Sequence, residues 1–352
     1  MRPLCPRCHQ DGRSFALELQ IVMKQNQDTV IEGLLICSNS QCLSEYPIID
    51  GIPIIVADVR TYVSQNILPI VHRSDFSQPI ESLLGDCCGP GSAYDSLRQH
   101  LSTYGYNHYG DLDPCENCST PGLPGSIVGL LNQGMAAIEK VPDGPVIDLG
   151  CAVGRSSFEL AQRFKRLILG IDLNFEMLKT AAAVLNRNRC TYPKRRVGIV
   201  YDRREFSAPM EGADLVDFWV CDAVCLPFGD DTYALAASLN LLDCVQSPYD
   251  HLKEMARVLM PEAGALIATP YDWNPNATPV EAWLGGHSQR SPNHGASEAM
   301  LQALLAEGKH PQAVKTLEVV SELGAVPWHL RLHDRSSVKY QSHVTVVRKK
   351  SA

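Results

Sequence analysis

Residues 145–155 read Pro-Val-Ile-Asp-Leu-Gly-Cys-Ala-Val-Gly-Arg, and the fold follows from this stretch. The run 146–149 is apolar except for Asp148, which predicts a buried strand, and the small or apolar residues 150–154 predict a tight turn. A helix is predicted next, because apolar residues recur with helical spacing: Phe158, Leu160, Ala161 and Phe164. Glycines let a backbone approach a ligand closely, and the start of a helix offers free N–H groups. The stretch therefore predicts a site for a nucleotide-like cofactor.

The rest of the chain continues this alternation of strands and helices. Further helices are expected at 92–104, 126–140, 175–186, 248–259 and 298–305, and further strands at 167–173, 216–221, 233–239 and 265–269, with a late pair near 315–323 and 339–348. Apolar strands separated by amphipathic helices form parallel sheets that are covered on both faces. The pattern thus predicts the α/β class.

The composition sets limits on location and partners. With 352 residues, 45% of them hydrophobic, the chain is long enough for one domain of common size and a smaller one. Its net charge of −8 disfavours nucleic acid as a partner. No apolar run approaches the roughly 18 to 20 residues that span a bilayer, and the first residues lack the apolar core of a signal peptide. We therefore expect a cytoplasmic protein with no membrane partner.

Four of the thirteen cysteines have the spacing of a metal site. Cys5 and Cys8 form one pair, Cys37 and Cys42 form a second, and strand-like residues alternate between the pairs. Four thiolates satisfy a tetrahedral Zn²⁺ and leave no open position, as in structural sites. The segment therefore predicts a zinc ribbon that the metal holds folded.

Four of the other cysteines could form a second metal site, but we do not favour one. The candidates are Cys87, Cys88, Cys115 and Cys118. Adjacent cysteines cannot easily chelate one ion, and the Cys115/Cys118 pair has no matching knuckle.

The end of the ribbon has a recognisable sequence. Residues 45–56 read Glu-Tyr-Pro-Ile-Ile-Asp-Gly-Ile-Pro-Ile-Ile-Val, in which Asp50-Gly51 predicts a hairpin turn between two strands. Together with the Cys-Pro-Arg-Cys start, residues 1–60 resemble the small zinc-ribbon proteins that activate tRNA and release-factor methyltransferases in eukaryotes. The resemblance implies a ribbon that packs on a methyltransferase and is here fused to one, and it leaves a protein partner for the ribbon open.

Three acids lie at the ends of successive predicted strands. Asp148, Asp172 and Asp222 lie where ligands bind in an open parallel sheet, beyond the carboxyl ends of the strands. A carboxylate in the position of Asp172 can accept hydrogen bonds from both hydroxyls of a ribose. NAD and S-adenosylmethionine both suit such a crevice, and the choice between them depends on the wider pattern.

That wider pattern resembles the class I S-adenosylmethionine-dependent methyltransferases. It comprises 146–154, Gly170-Ile-Asp, Cys221-Asp-Ala, Leu226-Pro-Phe and Ala237-Ser-Leu-Asn240. The resemblance implies a Rossmann-like seven-stranded sheet with an antiparallel last strand, and S-adenosylmethionine as the cofactor. The implied cofactor-binding residues are Asp148, Gly150, Cys151, Ala152, Gly154, Asp172, Leu173, Asp222, Ala223 and Asn240.

Residues 100–350 also resemble the C-terminal methyltransferase domain of ovothiol synthase. The matching stretches are 108–110, 148–161, Thr269-Pro-Tyr-Asp-Trp273, 278–286 with its Trp-Leu-Gly-Gly element, and Lys339-Tyr-Gln-Ser-His-Val344. The resemblance implies an acceptor related to 4-mercaptohistidine, methylated on an imidazole nitrogen. The sulfur-inserting domains of that enzyme are missing here, and the basic insertion between Arg187 and Asp214 departs from the family. We expect the insertion to be a solvated loop, with a contact to an anionic substrate as the alternative.

Aromatic and acidic residues near the strand ends are candidates for positioning the acceptor. The catalytic candidates are Tyr271, Trp273 and Trp283, followed by His108, Tyr109 and Asp243. An aromatic face can hold a cationic sulfonium or a cationic acceptor, although each aromatic residue could equally pack in the core. His108 and Tyr109 belong to a cluster with Tyr104 and Tyr106, for which an anchoring role is favoured over a pocket.

The sequence as a whole predicts three regions. These are a zinc ribbon at 1–60, a linker and helical cap at 61–125, and a methyltransferase domain at 126–352. The predicted activity is S-adenosylmethionine-dependent N-methylation of a small imidazole- or amino-acid-like molecule. The alternatives are an O- or C-methyltransferase of secondary metabolism and a non-catalytic zinc-ribbon scaffold that recruits a protein or RNA.

Overall fold

The computed structural model describes residues 2–26, 29–73, 75–116 and 124–351. The helices of at least five residues are α1 (Pro6–Gln10), α2 (Val59–Gln65), α3 (Ile67–Val71), α4 (Gln78–Cys88), α5 (Ala93–Tyr109), α6 (Ser126–Met135), α7 (Arg155–Phe164), α8 (Phe175–Arg187), α9 (Pro248–Val258) and α10 (Ser297–Leu305). The strands are β1 (Leu17–Asn26), β2 (Thr29–Cys37), β3 (Glu45–Ile49), β4 (Ile52–Ile55), β5 (Val146–Leu149), β6 (Ile168–Asp172), β7 (Arg189–Val197), β8 (Val200–Ser207), β9 (Val216–Cys221), β10 (Tyr233–Leu239), β11 (Leu259–Thr269), β12 (Leu317–His333) and β13 (Ser336–Lys349). No helix of the described residues is long and apolar enough to cross a membrane.

One large sheet organises the chain. Its strand order is β1-β2-β3-β4-β9-β6-β5-β10-β11-β13-β12. Strands β9, β6, β5, β10 and β11 run parallel, whereas β13 lies antiparallel between β11 and β12. The α/β prediction is therefore confirmed. The expected count of seven strands is too low. Within the described residues, four N-terminal strands extend the seven predicted ones, and the sheet has eleven strands.

The junction between the two groups of strands explains this difference. Strand β4 pairs in parallel with β9, with Ile54 opposite Val220 and Ile55 opposite Cys221. Ile54 and Ile55 are both fully buried, and they pack into the hydrophobic clusters on opposite faces of the sheet. The N-terminal segment thus occupies the edge of β9 that would otherwise be unpaired, and the predicted hairpin at Asp50-Gly51 joins β3 to β4.

Helices cover both faces of the central strands. The cluster on one face contains residues of α5, α6, α7 and α8, among them Tyr109, Leu130 and Phe158. The cluster on the other face contains residues of α9 and α10, including Leu252 and Leu301. Strand β5 is buried along its whole length, as its apolar sequence predicted.

The basic insertion is a β-hairpin rather than the solvated loop expected from its charge. Strands β7 and β8 form a separate two-stranded antiparallel sheet. Cys190, Tyr192 and Phe206 alternate inward and are buried, and Tyr192 packs so closely on α5 that a Cβ at Gly105 would lie 2.5 Å from its ring. The basic side chains reach carboxylates on the cap: Lys194 pairs with Glu116, Arg203 with Glu81 and Arg204 with Asp113.

Candidate active site

The turn after β5 has backbone conformations that its small residues permit. Gly150, Ala152 and Gly154 all have positive φ, at +72°, +50° and +87°. A Cβ on Gly154 would lie 2.6 Å from the Phe218 ring, and one on Gly150 would lie 2.8 Å from Leu241. Cys151 is buried within the turn. The two glycines are therefore required by backbone conformation and by close packing.

Asp172, the last residue of β6, fixes this turn. The Ala152 N–H donates to its Oδ2 at 2.9 Å, and the Asn174 N–H donates to its Oδ1 at 2.8 Å. Burial raises the pKa of Asp172, which these hydrogen bonds oppose. Each carboxylate oxygen retains acceptor capacity, so the group can also receive two hydroxyl donors.

Asp148 has a different environment. Its Oδ2 accepts hydrogen bonds from the hydroxyls of Ser156 and Ser157, at 2.6 and 2.7 Å, and burial raises its pKa to about 6. The carboxylate thereby fixes the first turn of α7 beneath the glycine turn.

The end of β9 provides the third acid. Asp222 accepts a hydrogen bond from the Val224 N–H at 3.0 Å, and burial raises its pKa. The carbonyl of the buried Ala223 lies 3.3 Å from Nδ1 of His251. The other ring nitrogen of His251, Nε2, lies 2.9 Å from the Ser238 hydroxyl. Successive strand ends thus bring Asp148, Asp172 and Asp222 to one edge of the sheet.

The N-terminal segment also borders this edge. Tyr62 of α2 donates a hydrogen bond to the carbonyl of Leu173 at 2.7 Å, and burial, followed by the charge of Asp172, raises the pKa of Tyr62. Leu173 itself keeps an exposed side chain. Sequence reasoning missed Tyr62, because nothing in its neighbourhood marks it as a contact of a loop 111 residues away.

Asn240 follows β10 in a left-handed conformation with φ +52°. Its Oδ1 accepts a hydrogen bond from the Ser342 hydroxyl at 2.9 Å, which orients the amide. Its Nδ2 is buried and has no partner among the described residues. A buried amide donor normally has an acceptor, so this atom marks a place for a ligand group.

Asp243 lies beside Asn240 in the loop after β10. It is 2% exposed, and burial raises its pKa to about 6. Its Oδ2 accepts the Asp272 N–H at 2.6 Å, and Asp272 in turn accepts a hydrogen bond from the Tyr340 hydroxyl at 2.7 Å. Although the Cys244 residue is exposed, surrounding protein atoms partly desolvate its sulfur, and this desolvation, followed by the charges of Asp243 and Asp272, raises the pKa of the thiol to about 12.

Tyr104 is a further phenol near the end of α5. Burial raises its pKa, and Cys244, Asp172, Asp243 and Tyr340 contribute further in that order. Its ring lies 6.3 Å from that of His108, between centroids. The sequence marked Tyr104 as part of an aromatic cluster and placed Asp272, Tyr340 and Ser342 in stretches that resemble the ovothiol synthase domain, but none of them was among the candidate site residues.

The predicted aromatic candidates Tyr271, Trp273 and Trp283 contact one another in sequence order. The Tyr271 hydroxyl lies 2.8 Å from His343 Nδ1, and Tyr271 faces Trp273 at 6.3 Å between ring centroids. Trp273 stacks on Trp283 at 5.9 Å, and the Trp283 indole donates to the carbonyl of Thr278. Tyr271 also has positive φ, +56°, which is rare for an aromatic residue.

His108 and Tyr109 lie at the end of α5 near the glycine turn. The Tyr109 hydroxyl donates to the carbonyl of Val153 at 2.7 Å, which shows an anchoring contact. His108 is 3% exposed, and burial, followed by the charge of Arg155, lowers its pKa to about 3. Its Nδ1 is buried without a partner among the described residues.

The four N-terminal cysteines converge as predicted. Sγ atoms of Cys5 and Cys42 are 3.9 Å apart, those of Cys8 and Cys37 are 3.8 Å apart, and all four lie within 4.8 Å of one another. A tetrahedral ZnS₄ unit with bonds of about 2.3 Å has S···S edges of about 3.8 Å, so the arrangement fits Zn²⁺. Tyr46, Asn39 and Ser44 place O–H or N–H groups 3.1 to 3.5 Å from the sulfurs. This is the one such group among the described residues; Cys118 lies outside them.

Comparison with known proteins identifies the central part of the chain. Residues 147–267 match the family model described as "Methyltransferase domain". This segment is less than half of the chain and is similar to methyltransferase domains. The match runs from within β5 to within β11, includes the glycine turn and the three strand-end acids, and supports the predicted methyltransferase activity.

Individual relatives are more distant. The chain is 24% identical over 182 residues to ajmaline N-methyltransferase of Rauvolfia serpentina, which is 49% of this chain and 52% of that protein. A phosphoethanolamine N-methyltransferase of Haemonchus contortus in complex with S-adenosylmethionine matches with 19% identity and TM-score 0.30, over 39% of this chain and 28% of that one. An S-adenosylmethionine-dependent methyltransferase of Methanosarcina mazei matches with 21% identity and TM-score 0.38, over 60% and 94%. Because these TM-scores are low, the inference of a methyltransferase domain rests on the family model and not on these structures.

Proposed function

We propose that the chain uses S-adenosylmethionine to methylate a nitrogen of a small imidazole- or amino-acid-like acceptor. The domain at 147–267 supports the cofactor. The resemblance to ovothiol synthase supports the acceptor class, and the relative named for N-methylation supports nitrogen as the accepting atom. The observation that carries the proposal is the buried Asp243 carboxylate in the loop after β10, which accepts the Asp272 N–H and whose pKa burial raises to about 6.

The strand-end residues suit the cofactor. Asp172 keeps two acceptor positions for ribose hydroxyls, Asp222 can accept an adenine amino group, and residues 150–154 would adjoin the methionine part. The unpartnered Asn240 Nδ2 would donate to the bound ligand near the methyl group. When bound, S-adenosylmethionine supplies a methyl group on a positively charged sulfur.

The acidic loop suits a basic acceptor. A protonated imidazole or amine has no lone pair to attack with, so it must lose a proton before methyl transfer. Asp243 is ionised at neutral pH, where it can hold such a cation, and its raised pKa makes it a better proton acceptor than an exposed carboxylate. Asp272 and Tyr340 hold the loop through the Asp272 N–H and carboxylate.

A pH profile tests this role. Activity should fall as the pH drops through about 6, because Asp243 then becomes protonated and no longer binds or deprotonates the acceptor. Asp243→Asn should lower kcat by about 10²- to 10⁴-fold and abolish this acidic limb. The assay is release of S-adenosylhomocysteine with histidine, 4-mercaptohistidine and a catechol as acceptors, with mass spectrometry to locate the methyl group.

Three results would contradict the proposal. Methylation of oxygen or carbon would favour the O- or C-methyltransferase alternative. Failure to bind either S-adenosylmethionine or S-adenosylhomocysteine would favour a scaffold. A variant Asp243→Asn with an unaltered pH profile would remove Asp243 from the mechanism.

For the N-terminal segment we propose one structural Zn²⁺ held by Cys5, Cys8, Cys37 and Cys42. The sulfur separations support this assignment. Because β4 of this segment pairs with β9, the metal would stabilise a segment that is already docked on the methyltransferase sheet.

A further inference from the structure

The turn that follows β9 is held from outside by a histidine of α9. Within this turn, residues 222–225, the Val224 N–H donates to Asp222 Oδ1 at 3.0 Å and the Cys225 N–H donates to the Asp222 carbonyl at 3.1 Å. The Ala223 carbonyl lies 3.3 Å from Nδ1 of His251. Among the described residues, His251 is the one side chain from outside the turn that hydrogen-bonds to its backbone.

The surroundings of His251 allow one arrangement of its ring protons. A carbonyl oxygen only accepts hydrogen bonds, so Nδ1 carries the proton that Ala223 accepts. Burial lowers the pKa of His251 to about 4, so the ring has a single proton at neutral pH. The other nitrogen, Nε2, therefore accepts from the Ser238 hydroxyl, which lies 2.9 Å away. Both side chains are fully buried, and the ring joins β10 to the turn after β9 with both nitrogens in use.

Two further side chains of α9 hold the next part of the same segment. Glu254 accepts the Leu226 N–H at 2.8 Å, and Arg257 donates to the Leu226 carbonyl at 3.0 Å. His251, Glu254 and Arg257 are spaced three residues apart, so successive ones are neighbours on the helix surface. Both Leu226 contacts lie three positions beyond Ala223. His251 is therefore the member of this row that holds the turn next to the strand end.

We propose that His251 is a positioning residue for the adenine of S-adenosylmethionine, an inference that rests on the proposed function. By holding the Ala223 carbonyl, His251 fixes the turn and with it the direction of the adjoining Asp222 carboxylate, which would accept the 6-amino group of adenine. A carboxylate held in one direction accepts an amino group and rejects a 6-oxo group, which offers no donor at that position.

Discrimination between S-adenosylhomocysteine and S-inosylhomocysteine measures this positioning on the full chain. The purine has a 6-amino group in the first compound and a 6-oxo group in the second. Calorimetry of the wild type should give a Kd for the adenosyl compound that is about 10- to 100-fold lower, since one hydrogen bond to a charged acceptor separates the two.

Two variants each keep one of the hydrogen bonds of His251. The amide of an asparagine lies near the place of Nδ1, so His251→Asn still donates to Ala223, whereas the amide of a glutamine lies near Nε2, so His251→Gln keeps only the acceptor for Ser238. Both variants should lower Tm, because each leaves one buried polar group without a partner. Only His251→Gln should lose the preference for the adenosyl compound, to less than about threefold. A ratio of Kd values that is the same in the wild type and both variants would show a purely structural role and overturn the proposal, as would a loss confined to His251→Asn.

Hydrogen exchange of the wild type decides if His251→Gln does not fold. At saturation, S-adenosylhomocysteine should slow exchange of the His251 Nδ1–H and the Val224 N–H more than S-inosylhomocysteine does, because only the amino group attaches Asp222 to the ligand. Equal slowing would overturn the proposal. A wild type that binds both compounds equally would overturn the role of His251 alone, whereas a wild type that binds neither would refute the proposed cofactor and the role of His251 together.

Discussion

Replacement of Asp172 by alanine is the most direct test of the cofactor site. The carboxylate accepts two backbone N–H groups, from Ala152 and Asn174, and retains capacity for two ribose hydroxyls. Loss of two hydrogen bonds to a charged acceptor, each about 1.5–3 kcal/mol, removes about 3–6 kcal/mol of binding free energy. The Kd for S-adenosylmethionine should therefore rise by about 10²- to 10⁴-fold.

The same substitution should also lower stability, because the Ala152 and Asn174 N–H groups lose their acceptor. Asp217→Ala separates the two effects. Asp217 likewise accepts two N–H groups, from Phe218 and from the Trp219 indole, but it lies near the start of β9 rather than at the crevice end. It should lower Tm without changing cofactor affinity.

Isothermal titration with S-adenosylmethionine and thermal unfolding of both variants provide the measurement. Unchanged affinity in Asp172→Ala would refute the assignment of Asp172 to the ribose. An equal loss of affinity in Asp217→Ala would show that the effect comes from general destabilisation of the sheet.

Three further predictions concern the metal, the turn and the docked segment. Zinc analysis should give about one ion per chain, falling in Cys37→Ser, while Cys88→Ser, at an exposed cysteine, keeps it. Gly154→Ala should lower the free energy of unfolding in urea by more than about 1 kcal/mol because of its positive φ and contact with Phe218, whereas Gly129→Ala in α6, with open space around it, should raise it by about 0.5–1 kcal/mol. Tyr62→Phe should raise the Kd for S-adenosylmethionine by less than about tenfold, because the variant loses one neutral hydrogen bond to the carbonyl of Leu173. An unchanged Kd would show that this contact does not support the crevice.

The central elements were predictable because their periodicity is local. Strands 146–149, 216–221 and 233–239 have the bounds expected from their apolar runs, and the helix expected at 175–186 ends one residue later. The acids that follow these strands then meet at one edge for a purely geometric reason: parallel strands end on the same side of a sheet. Knowledge of the strands was therefore sufficient to find Asp148, Asp172 and Asp222.

Other contacts left no trace in local sequence. Ser342 orients Asn240 across 102 positions, and Tyr340 reaches Asp272 across 68, because the antiparallel register of β13 against β11 brings them together. The eleven-stranded sheet was missed because β4 joins β9 through backbone groups, which every sequence possesses. The hairpin β7–β8 was mistaken for a loop because its charges outweighed the inward alternation of Cys190, Tyr192 and Phe206.

The pairing of β4 with β9 also has a consequence for the order of folding. Ile54 and its partner Val220 are 166 residues apart in the chain (220 − 54), so this contact closes a very long loop, whereas the ribbon's own contacts span fewer than 60 residues. During synthesis the ribbon emerges before β9, so that, with zinc bound as proposed, it can fold long before β9 exists. A chain made without zinc would reach the stage at which β9 forms with no folded ribbon to cover it, leaving an unpaired edge that invites aggregation. If the four cysteines hold zinc as proposed, the supply of zinc during expression should govern the yield of correctly folded protein.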